Sequence, residues 1–139
     1  MSDFVIFDTS VLVDDFRTPF HAKRMAALDG VIRISSVVVA ELWRGASTPN
    51  EREALQDLER NHPVLTPTAK NWLDSGRILN RIRNDKGFQP HKLRDLHFDL
   101  LIALTSRSCG ARLITSNRAD FELIQRYCSF QMEIWPASA

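Results

Sequence analysis

Short apolar stretches alternate along the chain with longer segments whose apolar residues recur at helical spacing. Five stretches rich in β-branched or aromatic residues are predicted to be strands: residues 4–7, 31–34, 64–65, 113–114 and 132–135. The signal for residues 64–65 is the weakest of the five. This alternation predicts an α/β fold whose parallel sheet has helices on both faces. In such sheets ligands bind beyond the carboxyl ends of the strands.

Polar residues that can cap helices precede several of the helical segments. The predicted caps are Ser35 or Ser36 for residues 37–43, Asn50 for residues 51–60, Thr66 for a long helix across residues 72–82, and Asp95 for residues 96–109. Gly110 follows the last of these helices, in the position where glycine commonly ends a helix. Pro63, Pro67 and Pro90 are expected in loops.

Length and composition are those of one ordinary globular domain. The chain has 139 residues, of which 44% are hydrophobic and 25% charged, so we expect a single domain over residues 1–139. The net charge of +1 excludes a global field that would draw the protein to nucleic acid or a membrane, so any such binding must be local. No apolar run is long enough to span a membrane, and the N-terminus does not resemble a signal peptide. A cytoplasmic location is therefore expected.

Cysteine and histidine residues lack the spacing of a zinc or redox site. Cys109 and Cys128 stand alone in apolar surroundings and are interpreted as reduced packing thiols, with a disulfide as the alternative. His62, His91 and His97 are expected on the surface or in loops.

Two acidic residues in the first part of the chain follow predicted strands. Asp8 comes directly after the first strand, so its side chain is expected at the carboxyl edge of the sheet. The alternative is that Asp8 only caps the next helix. Glu41 has Val37 and Val38 as its i−4 and i−3 neighbours, which makes that side of its helix apolar. An ion pair between Glu41 and Arg44 is the alternative.

Two further acidic residues flank the predicted strand at residues 113–114. Asp99 interrupts an apolar helical segment and has Leu96 and Ile102 as neighbours. A buried carboxylate must be protonated, paired or bound to a cation. The alternative is that Asp99 lies near the start of its helix and binds free backbone amides there. Asp120 follows the strand by one short turn, and a helix cap or first-turn acid is its alternative role.

The four acids together indicate a cation site more strongly than any one of them does. Independent capping would not predict one acid after the first strand, one on the helix after the second, and two around the fourth. We expect Asp8, Glu41, Asp99 and Asp120 to face one cleft. Clustered carboxylates repel one another and favour hard cations with oxygen ligands, so Mg²⁺ or Mn²⁺ is the expected cofactor.

The same residues carry a resemblance to a known family. In chain order the motifs are Phe7-Asp8-Thr9-Ser10-Val11-Leu12, Ala40-Glu41-Leu42, Asp99-Leu100-Leu101-Ile102-Ala103, and Leu113-Ile114-Thr115-Ser116-Asn117 with Asp120-Phe121. Their order and spacing resemble those of PIN-domain ribonucleases, in particular the VapC-type toxins of bacterial toxin–antitoxin pairs. Each motif is short, but the ordered set spans nearly the whole chain.

The resemblance implies a fold, an activity and partners. The fold would be a PIN-like three-layer α/β/α sandwich with a central, mainly parallel sheet of four to five strands. The activity would be that of a metal-dependent endoribonuclease acting on an RNA substrate. The implied partner is a small antitoxin protein whose tail covers the acidic cleft, and a homodimer is expected.

The resemblance also implies roles for individual residues. Asp8, Glu41, Asp99 and Asp120 match the catalytic, metal-binding acids of the family. Ser10 and Thr115 match hydroxyl positions that support the acidic site. Some members carry an acid where this chain has Asn117. Whether Asn117 or Asp120 completes the site, and whether one or two metal ions bind, is left open by the sequence.

A local run of positive charge lies before Asp99. The run contains Arg77, Arg81, Arg83, Lys86, Lys92 and Arg94. We interpret Arg81, Arg83, Lys86, Lys92 and Arg94 as a phosphate track that leads RNA to the acids. The alternative is an ordinary solvated helix face. Trp43 and Trp72 lie at helical spacing with aliphatic residues and are expected in the core or an interface.

Other classes of protein also place an Asp after the first strand. A haloacid dehalogenase-type phosphatase would need a second acid two residues after Asp8, where this chain has Ser10. A receiver-like regulatory domain would need a lysine near the end of the sheet, and no lysine follows Lys92. A PIN-like module that binds without catalysis is the remaining alternative.

Overall fold

The computed structural model describes residues 3–138, and a five-stranded sheet lies at its centre. The strands are β1 (Phe4–Phe7), β2 (Val31–Ser35), β3 (Val64–Leu65), β4 (Ala111–Thr115) and β5 (Gln131–Ile134). Their order in the sheet is β3-β2-β1-β4-β5, and every pairing is parallel. All five predicted strands are confirmed, with end points within two residues of those expected.

Helices flank the sheet to give the predicted three-layer α/β/α sandwich. Seven are present within the described residues: α1 (Thr9–Arg17), α2 (Ala22–Ala26), α3 (Ser36–Gly45), α4 (Pro49–Asn61), α5 (Ala69–Lys86), α6 (Pro90–Ser108) and α7 (Arg118–Gln125). The parallel sheet needs such cover because both of its faces are apolar. Val5 and Ile6 of β1 and Ile114 of β4 are fully buried.

The register between β1 and β4 sets the position of the residues that follow these strands. Phe7 lies opposite Ile114, and the backbone N–H of Asp8 donates to the carbonyl of Ile114 at 3.0 Å. Asp8 and Thr115 therefore meet at the carboxyl edge of the two central strands.

The predicted starts of α4 and α5 are wrong, although both helices exist. Thr48 rather than Asn50 caps α4, with Pro49 as the first helical residue. Thr68 rather than Thr66 caps α5, and its hydroxyl accepts a hydrogen bond from the backbone N–H of Asn71 at 3.0 Å. In both cases a threonine hydroxyl satisfies an amide of the first turn, as is usual at N-caps.

The helix that carries Asp99 begins earlier than predicted. It starts at Pro90, and Gln89 rather than Asp95 is its N-cap residue. Proline suits the first helical position because its fixed φ matches the helix and its missing N–H is not needed there. Pro90 is therefore helical rather than in a loop. Ser35 as the cap of α3 and Gly110, with φ of +68° after α6, agree with the prediction.

Other predictions about single residues had mixed outcomes. Cys109 and Cys128 are free thiols, as expected. His97 lies within α6, half-buried and hydrogen-bonded to Ser75 at 2.9 Å, so its placement at the surface or in a loop was wrong. Trp43 packs against the core, whereas Trp72 is 51% exposed. No helix among the described residues combines the length and apolarity needed to cross a membrane.

Candidate active site

Asp8 is a buried carboxylate at the carboxyl end of the central strand β1. Its side chain is only 3% exposed, and it caps α1 through the backbone N–H of Val11. The Ser10 hydroxyl donates to Asp8 Oδ1 at 2.7 Å, and the Thr115 hydroxyl donates to Oδ2 at 2.7 Å. Burial raises the pKa of Asp8 despite these hydrogen bonds, which act in the opposite direction.

The two hydroxyls also attach Asp8 to the loop after β4. Ser10 Oγ accepts from the backbone N–H of Ser116 at 3.1 Å, and Thr115 Oγ1 accepts from that of Asn117 at 2.9 Å. Each hydroxyl therefore has both a donor and an acceptor partner, which fixes its orientation. Both groups expected to support the acidic site are in direct contact with Asp8.

Glu41 lies on α3 and points toward the start of α1. The Thr9 hydroxyl donates to Glu41 Oε1 at 2.8 Å. The alternative pairing with Arg44 is not formed among the described residues, because the Arg44 guanidinium lies over the ring of Phe98, 5.4 Å from its centroid. The role of Thr9 was missed in the sequence, since this contact joins two helices that are distant in the chain.

Asp99 lies in an environment that strongly disfavours its charged form. Burial is the largest cause that raises its pKa from 3.8 to about 8, followed by the negative charges of Asp8, Glu41 and Asp120. The positive charge of Lys92 acts against this shift. Asp99 accepts no hydrogen bond from residues 3–138, and it lies nine positions after the first residue of α6. It is therefore not a residue that caps the start of a helix.

Asp120 lies in the first turn of α7 and pairs with a lysine. Lys92 Nζ donates to Asp120 Oδ1 at 2.8 Å, and Asn117 Nδ2 donates to Oδ2 at 3.2 Å. Asn117 also caps α7 by accepting from the backbone N–H of Asp120. Asp120 is thus both a first-turn acid and a member of the charge-coupled group around Asp99. We call Asp8, Glu41, Asp99 and Asp120 the acid cluster.

The donor chemistry of the acid cluster suits Mg²⁺ or Mn²⁺. All its side chains offer carboxylate oxygens, which these hard cations prefer. Burial and, after it, the negative charges of the other three acids raise the pKa of Asp99, and a bound cation would offset those charges. Among residues 3–138, however, no three carboxylate, histidine or cysteine side chains are grouped tightly enough to form a metal site as they stand. The four acids are coupled through their charges without being assembled around a point.

The basic residues expected to bind RNA do not form one continuous track. Lys92 pairs with Asp120 of the acid cluster, whereas Arg94 lies on another side of α6, since two residues correspond to about 200° of helix rotation. A groove of about 320 Å³ between α5 and α6 contains Gly76, Leu79, Arg83, Leu93, Arg94 and His97. The Arg81 guanidinium lies over the Tyr127 ring, and Lys86 is exposed at the end of α5. We call this cavity the α5–α6 groove.

The chain belongs to the PIN domain family, whose model it matches over residues 5–126. The fold and family implied by the sequence motifs are thereby confirmed. A comparison with curated protein sequences finds no significant match.

Solved structures with a similar fold include VapBC proteins from several bacteria. VapBC-1 from nontypeable Haemophilus influenzae has a TM-score of 0.68 and 23% identity, covering 95% of this chain and 98% of that one. DNA-bound VapBC from Salmonella typhimurium has a TM-score of 0.69 and 21% identity, covering 97% and 99%. VapBC-5 from Mycobacterium tuberculosis, of the VapBC family of toxin–antitoxin systems, has a TM-score of 0.57 and 22% identity, covering 96% and 98%. At this level of identity the likeness concerns the fold.

Proposed function

We propose that this protein is a metal-dependent endoribonuclease and the toxin component of a VapBC-type toxin–antitoxin system. The observation that carries the proposal is that four carboxylates from separate chain segments influence one another: burial raises the pKa of Asp99, and the negative charges of the other three acids raise it further. A structural role alone does not explain why a carboxylate without a hydrogen-bond donor among residues 3–138 should be held against the core. Perturbed ionisable groups of this kind are typical of functional sites.

Asp8 and Asp99 would hold Mg²⁺ or Mn²⁺ directly, and Glu41 and Asp120 would contact it through water. When bound, the cation would supply an activated water and offset the charge of the scissile phosphate. The hydroxyls of Ser10 and Thr115 keep both Asp8 oxygens oriented, and Thr9 orients Glu41. Asn117 positions Asp120 at the start of α7.

RNA binding is proposed for the basic residues around the ends of α5 and α6. These are Arg81, Arg83, Lys86, Lys92 and Arg94. Arg83 and Arg94 share the α5–α6 groove, and no ion pair holds either of them among the described residues. Arginines of this kind are available for phosphate contacts. Because Lys92 lies apart from Arg83 and Arg94, the protein would contact RNA phosphates in two areas rather than along one track.

The proposed partners are a small antitoxin protein and a second copy of this chain in a homodimer. The likeness in fold to solved VapBC structures, one of them from the VapBC family of toxin–antitoxin systems, supports the first of these. We expect the protein to act in the cytoplasm, where its RNA substrate is found. A PIN-like module that binds RNA without cleaving it is the alternative function.

Cleavage of end-labelled RNA separates the two functions. The purified protein is incubated with RNA in the presence of Mg²⁺, and in parallel with EDTA. We expect Mg²⁺-dependent products with a 5′-phosphate and a 3′-hydroxyl, because activated water rather than a neighbouring 2′-hydroxyl attacks the phosphate. Asp99→Asn is the matched inactive control, since it keeps the shape of the side chain and removes its charge. Binding without cleavage would favour the non-catalytic module, and 2′,3′-cyclic phosphate ends would contradict the proposed chemistry.

A further inference from the structure

Lys92 brings a positive charge into the acid cluster. Its ammonium donates to Asp120 Oδ1 at 2.8 Å, and its side chain is 35% exposed. Lys92 and Asp99 are seven residues apart on α6, which is about two turns, so both project from the same face of that helix. One helix therefore supplies the acid cluster with a carboxylate and with a cation.

Asp120 has hydrogen-bond donors on both of its carboxylate oxygens, whereas Asp99 has none among residues 3–138. Both Asp120 oxygens have donors, since Lys92 contacts Oδ1 and the Asn117 amide contacts Oδ2 at 3.2 Å. Within residues 3–138 Asp99 has neither a hydrogen-bond donor nor an ion pair. Asp120 is thus already satisfied by a charged and a neutral donor from the protein, whereas Asp99 has no such partner.

The connection between Lys92 and Asp120 joins two elements. The pair is 28 residues apart in sequence and links the first turn of α6 to the first turn of α7. A fully exposed ion pair between flexible side chains would contribute little to the structure. This one is half-buried, and the Asn117 side chain fixes the second oxygen of Asp120.

We propose that Lys92 takes the place of a second metal ion at Asp120, so that the acid cluster binds a single divalent cation on the Asp8 and Asp99 side. A cation coordinated directly by Asp120 would lie about 2 Å from its carboxylate oxygen and close to the Lys92 ammonium, where like charges repel. Lys92 is thus a positioning residue that keeps Asp120 oriented and neutralised. The inference rests on the proposed function, because it concerns the metal ion that the function requires.

Counting bound Mn²⁺ tests the inference without measuring cleavage. The metal-free protein is titrated with Mn²⁺, and the free ion is followed by its electron paramagnetic resonance signal. We expect one Mn²⁺ per chain for the wild type, for Lys92→Arg and for Asp120→Asn. We expect two for Lys92→Met, because loss of the ammonium frees Asp120 as a ligand. Lys92→Met combined with Asp120→Asn should return the count to one, and Asp99→Asn should weaken binding at least tenfold.

The results distinguish failure of the role of Lys92 from failure of the proposed function. Two Mn²⁺ bound by the wild type, or one by a folded Lys92→Met variant, would overturn the role of Lys92 while leaving the nuclease proposal in place. Loss of Mn²⁺ binding in Asp120→Asn would also overturn it, and this variant provides the test if Lys92→Met does not fold. If the wild type binds no Mn²⁺, the metal site of the proposed function itself fails, and the inference fails with it. Circular dichroism and the melting temperature establish that each variant is folded.

Discussion

The hydroxyl of Thr115 donates to Asp8 Oδ2 at 2.7 Å, although the two residues are 107 positions apart in the chain. Both are buried, at 0% and 3% exposure. The same hydroxyl accepts from the backbone N–H of Asn117, so it ties the acid that follows β1 to the loop after β4. Thr115 therefore controls both the orientation of Asp8 and the shape of the loop that leads to Asp120.

Replacing Thr115 by Val should damage the site without changing its volume. The substitution removes one donor to Asp8 and leaves the backbone N–H of Asn117 without its acceptor. We expect a loss of about 1–3 kcal/mol in the free energy of unfolding, which is typical when a buried polar group loses its partner. Chemical denaturation measures this loss, and Mn²⁺ titration should show weaker binding.

Thr105→Val is the matched control for this substitution. Thr105 is 3% exposed, but its hydroxyl donates to the carbonyl of Leu101 within α6, at 2.8 Å and away from the acids. That carbonyl also accepts a backbone hydrogen bond within the helix. Removal of the Thr105 hydroxyl should therefore lower the free energy of unfolding by less than about 1 kcal/mol. Equal destabilisation and unchanged Mn²⁺ binding in both variants would contradict the special role of Thr115.

Removing the charge of Asp99 should stabilise the metal-free protein. Asp99→Asn eliminates a partly buried carboxylate whose charge is repelled by three other acids. We expect its melting temperature in EDTA to equal or exceed that of the wild type, by about 3 °C for each kcal/mol gained. Asp57→Asn on α4 is a control that changes the net charge equally, since the Asp57 side chain is 51% exposed and forms only a surface ion pair with Arg60. A melting temperature well below that of the wild type would contradict the expected relief of repulsion.

Addition of Mg²⁺ should reverse this order. Binding to the folded state stabilises the wild type by about 2.7 kcal/mol when the free cation exceeds its Kd about 100-fold. Asp99→Asn should gain much less, because it lacks a proposed direct ligand. Thermal unfolding with increasing Mg²⁺ measures the difference. Equal shifts in the two proteins would mean that Asp99 does not bind the metal.

The raised pKa of Asp99 should make stability depend on pH. The folded protein holds this proton up to about pH 8, whereas the unfolded chain releases it near 3.8. The stabilisation from protonated Asp99 is therefore fully present below about pH 4 and is lost progressively as the pH rises through about 8. In EDTA the wild type should lose stability relative to Asp99→Asn over this range, by on the order of a few kcal/mol. Parallel denaturation profiles for the two proteins would contradict the shift.

Charge reversal in the α5–α6 groove tests RNA binding. In an Asp99→Asn background, Arg83→Glu with Arg94→Glu should weaken RNA binding and lower the slope of log affinity against log salt by about 1–2. The control variant carries Lys23→Glu and Arg52→Glu, which are exposed positions on α2 and α4 with the same charge change. If affinity and salt dependence are unchanged in the groove variant, these arginines do not contact RNA phosphates.

The strands were predictable because each is a short apolar run that must be buried on both faces of a parallel sheet. The residues at which helices begin were harder to predict from the sequence. Thr48 and Thr68 each cap their helix two residues away from the polar residue that the pattern favoured, and Pro90 begins a helix rather than lying in a loop. The short helix α2 has no buried residue and therefore no apolar period to reveal it.

The acids of the candidate site could be selected from the sequence because each follows a strand or interrupts an apolar helix face. Their partners could not. The contacts of Thr9 with Glu41 and of Lys92 with Asp120 join residues 32 and 28 positions apart, and only the packing of the helices brings them together. The separation of Lys92 from Arg94 was missed for another reason: the helix was predicted to begin at residue 96, whereas α6 begins at Pro90 and places these two residues on different sides.

The sheet order also affects the protein while it is being translated. The central strand β1 can pair with β2 early, but its other neighbour, β4, begins more than 100 residues later. Until β4 leaves the ribosome, β1 has an open edge that can recruit other strands, and Asp8 lacks the hydroxyl of Thr115. A nascent chain therefore cannot arrange its acidic centre until β4 has been synthesised and has paired with β1.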